Sequence, residues 1–275
     1  MTSHDVVPPT RLRTFLPGLV SRIAFGALLV ALVVRLTGDV EPWGEDGLTP
    51  AVVAHLLLLP LLALTLWAAS GTPGTSGRPR PVVLTLVALA LGYLGDPVVA
   101  GTLLSGVWEA LMGSMELEGI VYQAMMLVAV LALALVAQTL AFRGWLGAGR
   151  LYRLAGAACW VVGVAAVAVV VSGLLHLDLA EYVVGAVTAG AAWCVAVAFL
   201  EVAAWRVDRL AGTGALLHVA TAVLAAAGLL VGDSEGVYLA VLRLSAVVYV
   251  AGQALLAAGL LRTLRRDSNR FERLA

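Results

Sequence analysis

Lysine is absent from this chain: all 17 basic residues are arginine. Schiff-base chemistry on a lysine amine is thereby excluded, and with it a retinal-binding role. Charge of any sign is scarce, at 12% of residues, and the formal net charge is zero. Such a chain offers no basic field to a nucleic-acid backbone, so nucleic acid is not an expected partner. Cysteine is nearly absent too. Cys159 and Cys194 both lie within apolar runs, where they read as small buried hydrophobes, and two thiols make neither a disulfide framework nor a zinc finger. Also missing are the alternating apolar and polar segments of about ten residues that a membrane β-barrel needs. No internal repeat and no soluble domain is visible. Two prolines and two arginines precede the first apolar run, and no small-residue cleavage site follows it, so no cleavable signal is expected.

What the chain does contain is apolar surface. Of its 275 residues 61% are hydrophobic, and the mean hydropathy is +1.00. A soluble domain needs more polar surface than this; a bundle in lipid does not. Continuous apolar runs fall at about 16–36, 51–69, 81–104, 120–142, 154–176, 182–204, 213–231 and 237–261. Each is long enough to cross a hydrocarbon core of roughly 30 Å. The expectation is an all-α polytopic transmembrane bundle of about eight spans, a single membrane domain over residues 1–275 with the lipid bilayer as its first partner. The first run is the weakest, because Arg22 and Arg35 bracket only twelve apolar residues. Both arginines are expected to snorkel to opposite interfaces.

Charge placement follows the same count. Arg11, Arg13 and Arg22 open the chain. Asp39, Glu41, Glu45 and Asp46 follow the first run, Arg78 and Arg80 the second, and Asp96, Glu109, Glu116 and Glu118 the third. Arg143, Arg150 and Arg153 follow the fourth, Asp178 and Glu181 the fifth, Arg206 and Arg209 the sixth, and Asp233 and Glu235 the seventh. An arginine-rich tail from Arg262 ends the sequence. The positive-inside rule then places both termini in the cytoplasm of a plasma (inner) membrane protein.

Polar residues within spans are costly, and each is a candidate for function or for helix gluing. Asp96-Pro97 interrupts the third run: Asp96 is intramembrane if the run continues to Val107 and interfacial, the favoured placement, if it stops near Leu94. His55 opens the second span and reads as an interfacial hydrogen-bonder. Glu201, one turn from Trp205, reads as interfacial at the far end of the sixth. Gln138, Thr139 and Arg143 end the fourth span, His176 ends the fifth, and His218 lies about two turns into the seventh. Two imidazoles on separate spans suit zinc, copper, iron or nickel, but a catalytic zinc normally takes three protein ligands and a water.

The stretch Gln138-Thr-Leu-Ala-Phe-Arg-Gly-Trp-Leu146 resembles the Glu-Glu-x-x-Phe-Arg-Gly motif of the CPBP intramembrane proteases, the CAAX-processing and bacteriocin-processing family. Phe142, Arg143, Gly144 and Leu146 match. Val171-Ser-Gly-Leu-Leu-His176 resembles the family's FxxxH segment, Gly185–Gly190 its glycine-rich next span, and Leu217–Ala222 its HxxxN segment. The resemblance covers about residues 130–225. It implies a CPBP-like fold with these motifs on spans four, five and seven, and a metal held by His176 and His218. The two motif glutamates fall on Gln138 and Thr139, however, and the Asn of HxxxN falls on Ala222. Glutamine accepts no proton at neutral pH and threonine is no general base. The resemblance therefore implies a CPBP-like protein without proteolytic activity that serves as a membrane partner or regulator of another protein, with no cofactor. One alternative is an active intramembrane metalloprotease that binds zinc and uses a displaced carboxylate such as Glu201 or Asp96. A second is a transporter subunit or membrane sensor.

Overall fold

The computed structural model describes residue 16 and residues 18–38, 48–71, 78–103, 117–147, 149–174, 197–230 and 235–272. Its elements are α1 (Leu19–Thr37), α2 (Pro50–Ala69), α3 (Arg80–Leu94), α4 (Pro97–Leu103), α5 (Leu117–Phe142), a 3₁₀ turn (Arg143–Leu146), α6 (Arg150–Leu174), α7 (197–207), α8 (Arg209–Leu230) and α9 (Glu235–Glu272). There is no strand among the described residues.

Local chemistry sets several of these boundaries. Thr49 caps α2 by accepting from the Val52 amide at 3.3 Å, and Pro50 occupies the first helical position, where its missing N–H costs nothing. α3 runs from Arg80 to Leu94 and closes on Gly95, whose N–H donates to the Leu91 carbonyl at 2.9 Å. There the chain bends by 63° into α4. Asp208 separates α7 from α8 and accepts from the Leu210 amide at 2.9 Å.

Five helices among the described residues are long and apolar enough to cross a membrane, in α1, α2, α5, α6 and α9, and a sixth arises if the bent α3–α4 pair is one span. This is a membrane-embedded helical protein. The expected third span at 81–104 is thus two helices, because Gly95 and Pro97 flank a carboxylate that starts a new helix. The last span does not stop at residue 261: α9 has 38 residues, about 57 Å at 1.5 Å per residue, and carries the arginine tail on as helix. Of the sixth expected span, 182–204, only residues 197–204 lie within the described residues.

The helices pack chiefly as neighbours in sequence, α1 on α2, α2 on α3, α3 on α5, α5 on α6 and α8 on α9, while α9 also returns to touch α1, α2 and α3. One continuous apolar cluster runs through them, from Leu28 and Leu58 to Phe142, Leu200 and Leu260. The α8–α9 seam is unusually close. A Cβ added at Gly214 would lie 2.6 Å from the Gly252 carbonyl oxygen, and one at Gly259 would lie 2.6 Å from the Ala211 amide nitrogen. Small residues at such positions let helix backbones meet in lipid.

Arginines tie the opposite end of the bundle. Arg265 donates to the Ala69 carbonyl at 3.0 Å, at the end of α2, and Arg206 reaches the Leu146 carbonyl at 3.5 Å. Arg262 and Arg266 lie 3.6 and 3.4 Å from the Asp208 carboxylate. Arg78 stacks over Trp67 with 3.8 Å to the ring centre.

Candidate functional site at the α1–α2–α3 junction

Three helices bring their scarcest residues to one point. His55, one and a half turns into α2, places Nε2 at 2.9 Å from Asp96 Oδ2. Its other ring nitrogen, Nδ1, lies 3.1 Å from Nε of Arg35 on α1. Arg35 is 2% exposed and His55 8%. Asp96 sits at the bend, where its second oxygen, Oδ1, accepts from the Val98 and Val99 amides at 2.8 and 3.2 Å. One carboxylate therefore caps α4 and binds the imidazole.

The hydrogens in this triad are fixed by elimination. An arginine nitrogen only donates, so Nδ1 of His55 accepts. The imidazole hydrogen is then on Nε2, and Nε2 donates to Asp96. The ring is neutral in this arrangement, and the arginine and aspartate charges cancel around it. Arg243 of α9 also lies within electrostatic range of Arg35. Beside the triad is a cavity of about 20 Å³, room for one water, lined by His55, Tyr93, Asp96 and Tyr249 and walled by Leu58, Leu59 and Val250. Tyr249 comes from α9, and Gly92 of α3 provides the space its hydroxyl occupies.

Arg35 departs from its expected role. It does not snorkel to an interface; it turns inward to His55. Neither Arg35 nor Arg243 fits the alternation of arginine with acid, since both fall on the end where the acids cluster. That misplacement is the signal that finds them in the sequence.

The motif residues are distributed otherwise. Gln138 is 1% exposed, and neither atom of its amide has a partner. Thr139 is fully buried and donates to the Leu135 carbonyl of its own helix at 2.9 Å. Arg143 stacks on Tyr152 at 3.8 Å and donates to the Tyr152 carbonyl at 2.9 Å. His218 meets the Tyr249 ring edge-on, 5.1 Å between centres. His176 lies outside the described residues. The contacts of Thr139 and Arg143 are thus with α5 and α6, while that of His218 is with α9. Among the described residues no three His, Cys, Asp or Glu side chains gather as a metal site would require. Glu201 lies on α7, one turn from Trp205 of the same helix, and its Oε1 has no partner.

No protein-family model matches the chain, and no curated protein or solved structure matches it either.

Proposed function

We propose that this chain is a non-proteolytic, multi-pass membrane protein whose Arg35–His55–Asp96 triad takes up and releases a proton, as the working element of a transporter subunit or membrane sensor. The observation that carries this reading is the pair of bonds on His55, 3.1 Å to Arg35 and 2.9 Å to Asp96, joining three helices. Ionisable residues inside a membrane protein mark ion and proton pathways, and histidine is the side chain whose charge changes near neutral pH. A proton arriving at Nδ1 of His55 turns an acceptor into a donor facing the Arg35 donor, and Nε2 hands its own proton to Asp96 Oδ2, leaving a neutral ring and a carboxyl. The polar tie between Arg35 of α1 and His55 of α2 is then lost. The charged and titratable groups around the ring are Arg35 from α1, Tyr93 and Asp96 at the α3–α4 bend, and Arg243 and Tyr249 from α9.

In this reading the chain has eight spans with both termini cytoplasmic, which would put the triad towards the external side, where the acidic connections cluster. The test is infrared difference spectroscopy of the protein in lipid between pH 8 and pH 5. A carboxyl band that appears in the wild type and is lost in D96N supports the reading. Identical difference spectra for the two proteins overturn it.

A second reading keeps the CPBP resemblance: a pseudoprotease that partners another membrane protein. In its favour, the position of a motif glutamate holds a fully buried, neutral amide at Gln138. Cleavage of CAAX-type or signal-like peptides by the purified protein in lipid, abolished by H218A, would overturn the loss of activity in both readings. Stoichiometric zinc would do the same.

A further inference from the structure

The arginine-rich end of α9 holds more positive charge than the buried acid beside it can match. Arg262 Nε and Arg266 Nη1 approach the same oxygen, Oδ2 of Asp208, at 3.6 and 3.4 Å. The carboxylate is 5% exposed, while the two arginine side chains remain 44% and 58% exposed. One carboxylate neutralises one guanidinium, so a positive charge is left over at the surface. A guanidinium carries five N–H donors in a fixed fork, and each of these two brings one nitrogen to Asp208. Within residues 206–209 and 262–267 five arginines stand against two aspartates. The helix sets their depth. The stretch of α9 that could cross a membrane begins at Arg243, and Arg262 lies nineteen residues further on, about 28 Å at 1.5 Å per residue. That is close to the roughly 30 Å of a hydrocarbon core. With Arg243 at one boundary, Arg262 reaches the other, and Arg266, about 6 Å further, stands in the headgroup layer. On the core side of Asp208 an apolar strip faces outward. Trp205 of α7 is 47% exposed, and its ring covers Gly212 of α8, where a Cβ has no room. Val202, one turn deeper on α7, and Leu216, one turn deeper on α8, are exposed as well.

We infer that this end of the protein binds one anionic membrane phospholipid, whose phosphate lies between Arg262 and Arg266 and whose acyl chain follows Val202, Trp205 and Leu216. The site stands apart from the Arg35–His55–Asp96 triad and does not depend on it. Phosphate oxygens match the guanidinium fork two at a time, so the headgroup completes the pairing that Asp208 leaves half done. Basic clusters beside a span attract anionic lipid, and tryptophan favours the same interfacial level. A zwitterionic headgroup fits less well, because its ammonium brings positive charge to a surface already in excess. Inorganic phosphate has the charge but nothing for the apolar strip to hold. The bound lipid reinforces the joint between α9 and the α7–α8 turn. Asp208 already makes that joint, together with the Thr263 hydroxyl, which lies 3.4 Å from the Val207 carbonyl oxygen.

The experiment is native mass spectrometry of the full chain released from a non-ionic detergent, titrated with phosphatidylglycerol, with phosphatidylcholine of the same acyl chains and with inorganic phosphate. The wild type is expected to retain one phosphatidylglycerol, with phosphatidylcholine and inorganic phosphate each at least about tenfold weaker. R262Q and R266Q each remove a charged donor and are expected to weaken phosphatidylglycerol by about tenfold. R150Q neutralises an exposed arginine at the same end, on the first turn of α6, and is expected to stay within about twofold. D208N frees both guanidiniums for the phosphate and keeps the cap on α8, since asparagine caps as well as aspartate; it is expected to bind phosphatidylglycerol at least as tightly as the wild type. Each variant is checked for its helical circular dichroism. Equal losses in R150Q and R262Q overturn the site in favour of a diffuse basic surface. A loss in D208N equal to that in R262Q overturns it too, because the arginines then serve the fold alone. Phosphatidylcholine bound as tightly as phosphatidylglycerol, or inorganic phosphate competing as well as the lipid, overturns the anionic lipid as the occupant.

Discussion

Asp96 makes three hydrogen bonds with two kinds of partner, and two substitutions separate them. D96A removes all three. Loss of the cap on α4 costs about 1 kcal/mol, and losing the bond from the neutral imidazole to the carboxylate costs about 1.5–3 kcal/mol, so D96A is expected to destabilise the protein by about 2.5–4 kcal/mol. D96N keeps the cap, because asparagine serves as well as aspartate there. Its amide hydrogens, however, face the Nε2–H of His55, and Arg35 prevents the ring from changing tautomer. D96N is therefore expected to cost about 1.5–3 kcal/mol, close to the whole of that bond and about 1 kcal/mol less than D96A. Replacing the arginine frees the ring: in R35Q/D96N, His55 can place its hydrogen on Nδ1 and accept from the new amide. The double variant is then less damaged than the sum of the singles by about 1–3 kcal/mol. The assay is reversible unfolding in mixed lipid–SDS micelles followed by far-ultraviolet circular dichroism. A D96N stability within about 0.5 kcal/mol of wild type, or strict additivity of R35Q and D96N, would refute the triad as a hydrogen-bonded unit.

Three other substitutions test the packing around it. In G92A the new methyl meets the Tyr249 hydroxyl; a loss of about 1–3 kcal/mol is expected, and Y249F should return part of it in the same unfolding assay. G214A puts a Cβ 2.6 Å from the Gly252 carbonyl oxygen and 2.7 Å from the Leu256 nitrogen. Backbone atoms cannot step aside as a side chain can, so its melting temperature should fall further than that of G92A. Q138L replaces an unpartnered buried amide by an apolar group of similar size. It should leave stability unchanged or raise it by about 1–3 kcal/mol, and a clear loss would show that the amide has a partner.

Much of the fold was legible because lipid leaves a simple mark on sequence. The run at 51–69 is α2, Pro50–Ala69, and the run at 120–142 is α5, Leu117–Phe142. Asp96-Pro97 announced an interruption, and the structure has one there. What the pattern does not give is the partner of each polar residue. His55 and Asp96 are 41 positions apart and His55 and Arg35 are 20 apart. Each stands alone in its own run, so each reads as a residue seeking water at an interface. Only the crossing of three helices turns three solitary groups into a site. The motif at Gln138–Leu146 shows the reverse. Its spacing is local and easily seen, yet the side chains point to different neighbours, because adjacent positions on a helix face different directions.

The glycine contacts between α8 and α9 have a mechanical meaning. At Gly214, Gly252 and Gly259 backbone meets backbone with only Cβ atoms beside it, so there is little soft to compress and the pair behaves as a stiff plank. α9 presses this plank against α1, α2 and α3. Displacement has to be taken up elsewhere, and the compliant joint is the one fastened by a single imidazole between α1 and the α3–α4 elbow. Rigidity on one side of the molecule thereby directs where the other side yields.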